Sequence, residues 1–85
     1  LSESDLRWVD LYKAKLNGAN LSYVDLTGAD LSEADLTGTN LNKADLTRAD
    51  LRGANLTGAN FTNANLTDVI LDENQSITLL LPHSS

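Results

Sequence analysis

Several residue types that commonly organise small proteins are absent or scarce in this chain. Its 85 residues contain no cysteine, so they offer neither a disulfide framework nor thiol chemistry. The single histidine, His83, lies in a polar tail after Pro82, and no arrangement of a nucleophile accompanies it. No apolar run approaches the roughly 20 residues of a membrane-spanning helix. These absences argue against a disulfide-stapled domain, histidine-based catalysis and a transmembrane segment.

What the chain has instead is a large apolar residue at every fifth position. Fifteen successive positions, from 1 to 71, follow this spacing, and fourteen of them are leucine and one is phenylalanine. A small residue, usually alanine, stands two positions before most of them. The spacing predicts a core ladder built from Leu6, Leu11, Leu16, Leu21, Leu26, Leu31, Leu36, Leu41, Leu46, Leu51, Leu56, Phe61, Leu66 and Leu71.

A period of five fits neither a helix nor a flat strand. On an α-helix, leucines five apart would step round by about 140° and face every direction in turn. On a strand, an odd spacing would send alternate leucines to opposite faces. In a unit such as Ala29-Asp30-Leu31-Ser32-Glu33, Ala29 and Leu31 share a face while Asp30 points outward. The pattern predicts a three-residue strand followed by a polar corner.

A second repeat, of twenty residues, indicates how many five-residue units make one turn of the coil. Residues of one type recur at this spacing: Gly18, Gly38 and Gly58; Asn20, Asn40 and Asn60; Asp10, Asp30 and Asp50. Four units therefore make one turn, and stacked turns lie at the spacing of paired strands, about 4.8 Å. We predict an all-β fold, a square parallel β-helix of about 3.5 to 4 coils.

Two of these columns carry more specific predictions. Glycine after the first corner residue suits a turn that needs a positive φ at its second central position. The column Asn20, Asn40 and Asn60 predicts a ladder of stacked amides that bond along the axis of the coil.

These residues and spacings resemble the pentapeptide repeat family, whose motif is A-(D/N)-L-x-x. The resemblance covers residues 1–73 and implies a right-handed quadrilateral β-helix there, with residues 74–85 as a tail. The chain departs from the motif at few positions. Ser4, Val9, Val24, Thr39 and Val69 replace the inward alanine, and Lys15 and Ile70 replace the acid or amide.

The tail is predicted to cover the C-terminal end of the coil. An open coil end exposes unpaired strand groups and an apolar floor, which proteins usually cover or pair. The tail contains a β-prone run that ends at Pro82. We predict that Ile77, Leu79 and Leu81 cap this end or join two copies there, as an end-to-end homodimer.

The first residues show no corresponding cap. The five-residue spacing is already in phase at Leu1, and the chain has no methionine. A removed leader and a piece of a longer repeat chain both explain this, and the second is favoured because the repeat begins without a cap. For the compartment, the cytoplasm is favoured, and export or the thylakoid lumen stays open.

Three aromatic residues of the first coil fall on outward corner positions: Trp8, Tyr12 and Tyr23. In one interpretation they are ordinary corner residues, with Trp8 lying over the space left by Gly28. In the other they form a contact surface for a protein partner, because Trp and Tyr are favoured interface anchors.

The formal net charge of −6 is concentrated on two adjacent sides, one of which carries Asp10, Asp30 and Asp50. The family resemblance offers an interpretation, since some pentapeptide repeat proteins protect or inhibit DNA gyrase by imitating DNA. The size of the charge disfavours this interpretation. About 18 Å of duplex would carry about 10 negative charges, whereas the net charge of this chain is −6. The simpler interpretation is that the carboxylates provide solubility and bond to the backbone near turns.

Other functions find little support. Acidity and the lack of a basic patch disfavour direct nucleic-acid binding. A divalent ion over Asp10, Asp30 and Asp50 lacks a recognised loop spacing, and carboxylates recur too regularly to single out a catalytic pair. We predict a non-enzymatic structural or protein-interaction module without cofactor, metal or membrane contact, whose protein partner is unknown. The alternative is a DNA-mimic modulator of DNA gyrase.

Overall fold

The computed structural model describes residues 5–72, and throughout them the chain is a coil of β-bridges and turns without a helix. Single-residue bridges recur at every fifth position from Asp5 to Ile70, and two-residue turns lie between them. Every bridge is parallel and joins residues twenty positions apart, as Asp10 with Asp30 and Asp30 with Asp50. Four five-residue units therefore complete one lap, as the sequence predicts.

Some predictions fall outside the described residues. They concern Ser4, the boundary between residues 73 and 74, and the tail with Ile77, Leu79, Leu81 and His83. These stay predictions.

Backbone hydrogen bonds connect each lap to the next. The N–H of Asp30 donates to the carbonyl of Val9 at 2.9 Å, and the carbonyl of Asp30 accepts from Leu11 N–H at 2.8 Å. At the corner, Lys13 N–H donates to the carbonyl of Ser32 at 3.0 Å. Because the same three bonds recur from unit to unit, neighbouring laps lie at the spacing of paired strands, about 4.8 Å.

The straight side of each unit has one bridged residue, flanked by two residues that each bond to the next lap through one backbone group, as Ala29 carbonyl and Leu31 N–H do with Asp50. Of Ala29, Asp30 and Leu31, only Asp30 is bridged. The flanking groups are used by the corners: Ala29 N–H donates to Leu26 carbonyl at 2.9 Å, and Leu31 carbonyl accepts from Ala34 N–H at 3.1 Å. A unit of five residues with a tight turn leaves one residue free to pair on both of its backbone groups.

The corners are turns of one kind. The second corner residue has a positive φ throughout, whereas the first does not. The carbonyl before each corner accepts a hydrogen bond from the residue three positions on, as Leu11 does from Ala14 at 2.9 Å. These features define a type II turn, and they confirm the predicted role of the glycines.

Glycine is nevertheless not required at these corners. All five glycines have φ between 65° and 73°, and eight other residues adopt φ between 55° and 65°. The latter are Trp8, Lys13, Tyr23, Glu33, Lys43, Arg48, Asn63 and Asp68. Because the left-handed region disfavours residues with a Cβ, the hydrogen bonds between laps must hold these corners in place.

The leucines point towards a common axis, as predicted. The central ladder is fully buried and comprises Leu21, Leu26, Leu31, Leu36, Leu41, Leu46 and Leu51. Towards the two ends the burial is partial, at Leu6, Leu11, Leu16, Phe61, Leu66 and Leu71. The inward hydroxyl of Thr39 is also buried, and it donates to the carbonyl of Leu16 at 2.9 Å. The middle of the coil is thus filled by packed side chains.

Candidate functional site

The bridged residues form outward columns on four walls of the coil. The first wall carries Asp5, Asp25, Asp45 and Asn65; the second carries Asp10, Asp30, Asp50 and Ile70; the third carries Lys15, Asp35 and Asn55; the fourth carries Asn20, Asn40 and Asn60. The structure therefore brings together the three predicted site residues Asp10, Asp30 and Asp50 in one column on the second wall.

Each outward acid or amide is first of all part of its own corner. The Oδ1 atom of Asp30 accepts the backbone N–H of Ser32 at 3.0 Å and the hydroxyl of Ser32 at 2.5 Å. The N–H of the first corner residue takes part in neither the bonds between laps nor the turn bond. The side chain two positions earlier thus satisfies the one backbone donor that the coil leaves unpaired. This confirms the predicted local bonds between side chain and backbone.

The same contact replaces the predicted amide ladder. Asn20, Asn40 and Asn60 are aligned as expected. Their Oδ1 atoms, however, accept hydrogen bonds from the corner N–H groups of Ser22, Asn42 and Thr62. Within residues 5–72 no bond joins one stacked amide to the next. The ladder prediction is wrong because the corner N–H, two residues away, takes the acceptor.

Two arginines pair with carboxylates on the acidic walls. Arg52 donates to both oxygens of Asp50, at 3.0 and 2.8 Å, and this hydrogen bond is the main reason why the pKa of Asp50 is lowered. Arg7 holds Asp5 in the same way at 2.9 Å, and the pKa of Asp5 is also lowered. Asp50 is therefore neutralised locally, and the remaining carboxylates of the second wall are the exposed Asp10 and the half-buried Asp30.

One acid on the third wall has a shifted pKa without an arginine. The hydroxyl of Thr37 donates to Asp35 Oδ1 at 2.6 Å and its backbone N–H donates at 3.0 Å. These two bonds lower the pKa of Asp35, and the bond from the hydroxyl contributes more than the bond from the backbone N–H. The corner bonds from Thr37 thus favour the carboxylate form of Asp35.

The three aromatic residues occupy three different corners. Trp8 lies between the first and second walls, Tyr12 between the second and third, and Tyr23 between the fourth and first. They are the most exposed aromatic side chains described, at 68%, 49% and 50%. Trp8 and Tyr12 therefore border the second wall, while Tyr23 stands apart from it.

Each aromatic ring has a neighbour in the fold. Trp8 lies against Gly28, where an added Cβ would be 2.3 Å from its ring, as the first interpretation predicts. The ammonium of Lys13 is 5.4 Å from the centroid of the Tyr12 ring. The ammonium of Lys43 is likewise 5.4 Å from the centroid of the Tyr23 ring. Two of the rings thus already face a cation, which is an attractive geometry.

Concave features on the described surface are shallow. An open depression of about 370 Å³ at the corner between the second and third walls is lined by Ser32, Glu33, Arg52, Gly53 and Asp72. Asp72 closes one side, since its Oδ2 accepts the N–H of Gly53 at 2.7 Å. Residues 5–72 contain no group of three or more His, Cys, Asp or Glu side chains placed to hold a metal ion. No helix among them could cross a membrane.

Comparison with known proteins agrees with this architecture. The family model for pentapeptide repeats matches residues 1–38 and 29–68, with eight copies. Among solved structures, the chain is similar to HetL, a pentapeptide repeat protein involved in heterocyst differentiation regulation from the cyanobacterium Nostoc sp. strain PCC 7120. The sequence identity is 36% and the TM-score 0.57, over 86% of this chain and 38% of HetL. No curated protein sequence matches significantly.

Two further structures are similar over most of the chain. The pentapeptide repeat protein alr5209 from Nostoc PCC 7120 is 39% identical with a TM-score of 0.57, over 82% of this chain and 62% of its own. QnrB1, a plasmid-mediated fluoroquinolone resistance protein, is 27% identical over 94% of this chain and 41% of its own. The TM-score of this match is 0.47. The chain thus spans less than two thirds of each of these proteins.

Proposed function

The chain belongs to the pentapeptide repeat family, whose members fold as right-handed β-helices, and we propose that it is a non-enzymatic module that binds a protein through its second wall. We further propose that the coil extends to about 3.5 to 4 laps and that the tail covers its C-terminal end, either as a cap or as a joint between copies. The binding partner is proposed to present a basic segment.

The observation that carries this proposal is the composition of the second wall and its corners. Asp10 and Asp30 stand one above the other on a bridged column, and the exposed rings of Trp8 and Tyr12 lie on the two corners beside them. Lys and Arg side chains are attracted both to carboxylates and to the faces of Trp and Tyr rings. An extended basic segment therefore meets complementary groups along this wall.

The filled interior supports a function on the outside. The central leucines and alanines are buried, so no ligand could enter the coil without displacing its core. Interaction surfaces on solenoids are extended and are formed by side chains at equivalent positions of successive repeats. The aligned acids of the second wall fit that description.

Titration with a short polylysine peptide, followed by Trp8 fluorescence and by calorimetry, tests the proposal. We expect the double variant Asp10→Asn, Asp30→Asn to bind about tenfold more weakly or worse, since it removes two negative charges from the second wall. The Asn side chains retain the Oδ1 acceptor, so the corners should remain intact. The binding of the native chain should weaken as salt is added.

The matched control is Asp35→Asn, which removes a carboxylate with the same corner contact from the third wall. It should bind the peptide nearly as well as the native chain. If both variants lose the same affinity, the peptide senses only net charge and the second wall is not the site. Unchanged Trp8 fluorescence at saturation would also exclude this wall.

The alternative is a DNA-mimic modulator of DNA gyrase, acting through the acidic walls. The aligned acids of the first and second walls favour it. Its weakness is that the bridged columns lose their carboxylates in the last described lap, where they carry Asn55, Asn60, Asn65 and Ile70. Duplex DNA keeps an even charge of one per about 1.7 Å.

A gyrase supercoiling assay with increasing protein concentration separates the two functions. DNA mimicry predicts a dose-dependent effect that is weakened by salt and by the change of Asp10, Asp30 and Asp50 to Asn. A protein-interaction module that recognises a basic segment predicts no effect on supercoiling. A salt-sensitive inhibition that the triple variant abolishes would favour the alternative.

A further inference from the structure

Two neighbouring walls of the coil carry equivalent pairs of stacked carboxylates. On the first wall Asp5 bridges to Asp25, and on the second wall Asp10 bridges to Asp30. The Oδ1 atom of the earlier acid accepts the backbone N–H of its corner, at 3.2 Å for Asp5 and 3.1 Å for Asp10. The later acid of each pair also accepts a corner hydroxyl, at 2.7 Å on the first wall and 2.5 Å on the second. The two pairs are therefore built in the same way.

The first pair already holds an arginine of the chain, Arg7. Its Nε and Nη2 atoms donate to the two oxygens of Asp5, both at 2.9 Å, and Nε lies 3.9 Å from Asp25 Oδ2 in the next lap. Arg52 makes the same two-oxygen contact with Asp50, at 3.0 and 2.8 Å. A carboxylate that is bonded to its corner N–H thus still binds a guanidinium through both oxygens.

The second pair has the same acceptors but no arginine. The corner residue after Asp10 is Tyr12, and within residues 5–72 neither Asp10 nor Asp30 makes an ion pair. Their Oδ2 atoms accept no hydrogen bond from the described part of the chain. The exposed ring of Trp8 lies at the corner beside the pair, against Gly28 of the next lap. Because Trp8 and Gly28 each precede one of the two acids by two residues, the ring lies at the level of both.

A guanidinium fits these groups better than an ammonium does. Its planar fork bonds both oxygens of a carboxylate, whereas the ammonium of lysine is a compact point charge. A guanidinium also stacks on aromatic rings, and the exposed Trp8 ring is beside the pair. The ring of Tyr12 is less available, because the ammonium of Lys13 already lies 5.4 Å from its centroid. The second wall therefore offers both kinds of group that an arginine side chain binds.

We propose that Asp10, Asp30 and Trp8 form a guanidinium site, which one arginine of the partner's basic segment fills. This arginine donates to both oxygens of Asp10, lies close to Asp30 and stacks on Trp8, as the first pair is filled within the chain. The inference rests on the proposed function, since it names the residue type that the basic segment brings to the second wall. Binding to this wall should therefore discriminate arginine from lysine.

Two peptides that differ in one residue test this discrimination. One is the short polylysine peptide, and the other has its central lysine replaced by arginine. We expect the native chain to bind the arginine peptide about threefold more tightly or better, by calorimetry and by Trp8 fluorescence. The double variant Asp10→Asn, Asp30→Asn should bring this ratio to about one, whereas Asp35→Asn should keep it. An arginine preference that the double variant retains would overturn the guanidinium site.

The variant Tyr12→Arg fills the site from within the chain. It places an arginine at the corner after Asp10, the position equivalent to that of Arg7 on the first wall. We expect both peptides to bind about tenfold more weakly, and the arginine preference to be lost. The matched control is Asn17→Arg, which adds the same charge at the next corner, where the preceding bridged residue is Lys15 and not an acid. This control should keep the preference.

Tyr12→Gln separates the new guanidinium from the loss of the ring. It should keep the arginine preference, because the site uses the ring of Trp8. Far-UV circular dichroism checks that each variant is folded, and a crystal structure of Tyr12→Arg should show the new guanidinium on Asp10. A guanidinium that points elsewhere, or an arginine preference in Tyr12→Arg equal to that of the native chain, would contradict the site.

Failure of this site and failure of the proposed function give different results. If the native chain binds both peptides equally, and the double variant weakens both, the guanidinium site is wrong and the second wall still binds a basic segment. If neither peptide binds the native chain, or if Asp35→Asn loses as much affinity as the double variant, the proposed function is wrong and the guanidinium site with it.

Discussion

At the scale of single residues, the acid or amide of each unit has a specific backbone partner. It accepts the N–H of the first corner residue, which the turn and the bonds between laps leave without an acceptor. The two units that lack this side chain, at Lys15 and Ile70, lack the contact. The motif position before each leucine therefore has a structural role in the corner, to which any surface function is added.

A substitution at Gly28 tests how the exposed ring of Trp8 packs on the coil. The change Gly28→Ala introduces a Cβ that would lie 2.3 Å from the ring of Trp8, at a φ of 70°. We expect a loss of stability of about 1–2 kcal/mol from the backbone, together with a displaced Trp8 and a changed emission maximum. Urea unfolding and Trp fluorescence measure the two effects.

The control for this variant is Gly38→Ala, where φ is 65° and nothing lies within 4 Å of the added Cβ. It should show the backbone cost without the fluorescence change. If the two variants shift the emission equally, Trp8 does not rest on Gly28 in solution.

Variants of Asp35 test whether the corner hydrogen bonds make the stability of the fold depend on pH. Because the hydroxyl and N–H of Thr37 lower the pKa of Asp35, its carboxylate contributes stability at pH values above the ordinary pKa of 3.8. This contribution is lost as the pH falls through the lower folded-state pKa. The urea midpoint of the native chain should therefore fall between pH 6 and pH 2.5 by more than that of Asp35→Asn.

Thr37→Val is the companion variant, since it keeps the charge of Asp35 and removes the hydroxyl that contributes most to the shift. We expect it to reduce the pH dependence in part. A pH dependence identical in all three proteins would mean that the corner bonds do not favour the carboxylate.

At the scale of the five-residue unit, the inward positions and the side-chain bond to the corner were predictable, whereas the pairing of laps through single bridged residues was not. A leucine at every fifth residue allows no other shared face, so the core ladder followed from spacing alone. The single-residue bridge did not, because it depends on how the turn uses the backbone of Ala29 and Leu31. The positive φ of Trp8 and Tyr23 also had no local signal, since their residue types disfavour it.

The unit itself can be tested by deletion. Removing residues 41–45 takes out one complete unit, so every later leucine still points inward, although the walls shift by one. Removing residues 41–44 shifts the later leucines out of phase and turns polar corner residues towards the axis. We expect the first variant to fold with reduced stability and the second to lose cooperative unfolding in urea.

Because the five-residue deletion shifts the walls, a further deletion that leaves them aligned serves as a control. Deleting residues 31–50 removes one whole lap and keeps both the inward and the outward columns aligned. It should fold into a shorter coil. Equal behaviour of the four-residue and five-residue deletions would refute the assignment of the inward positions.

At the scale of the whole molecule, the column alignment converts a repetitive sequence into four distinct walls. The alignment of Asp10, Asp30 and Asp50 was predictable from the twenty-residue repeat. The neutralisation of Asp50 by Arg52 was not, because it depends on a side-chain conformation. Likewise, the position of Tyr23 away from the second wall follows from the corner it occupies and could be read from the lap length.

The polarity of the coil is a property that appears only at this scale. Each lap bonds through donors on one edge and acceptors on the other, so the two ends of the molecule are chemically different.

The central claim is that one lap takes twenty residues, and disulfide formation tests it most directly because the chain has no native cysteine. Thr37 and Thr57 are corner residues one lap apart, so their Cα atoms should lie about 4.8 Å apart, within the range that a disulfide spans. The pair Thr37→Cys, Thr57→Cys should cross-link within one chain under mild oxidation. The pair Thr37→Cys, Thr47→Cys, at opposite corners of the coil, should stay reduced. Ready cross-linking of the second pair, or none of the first, would contradict the fold.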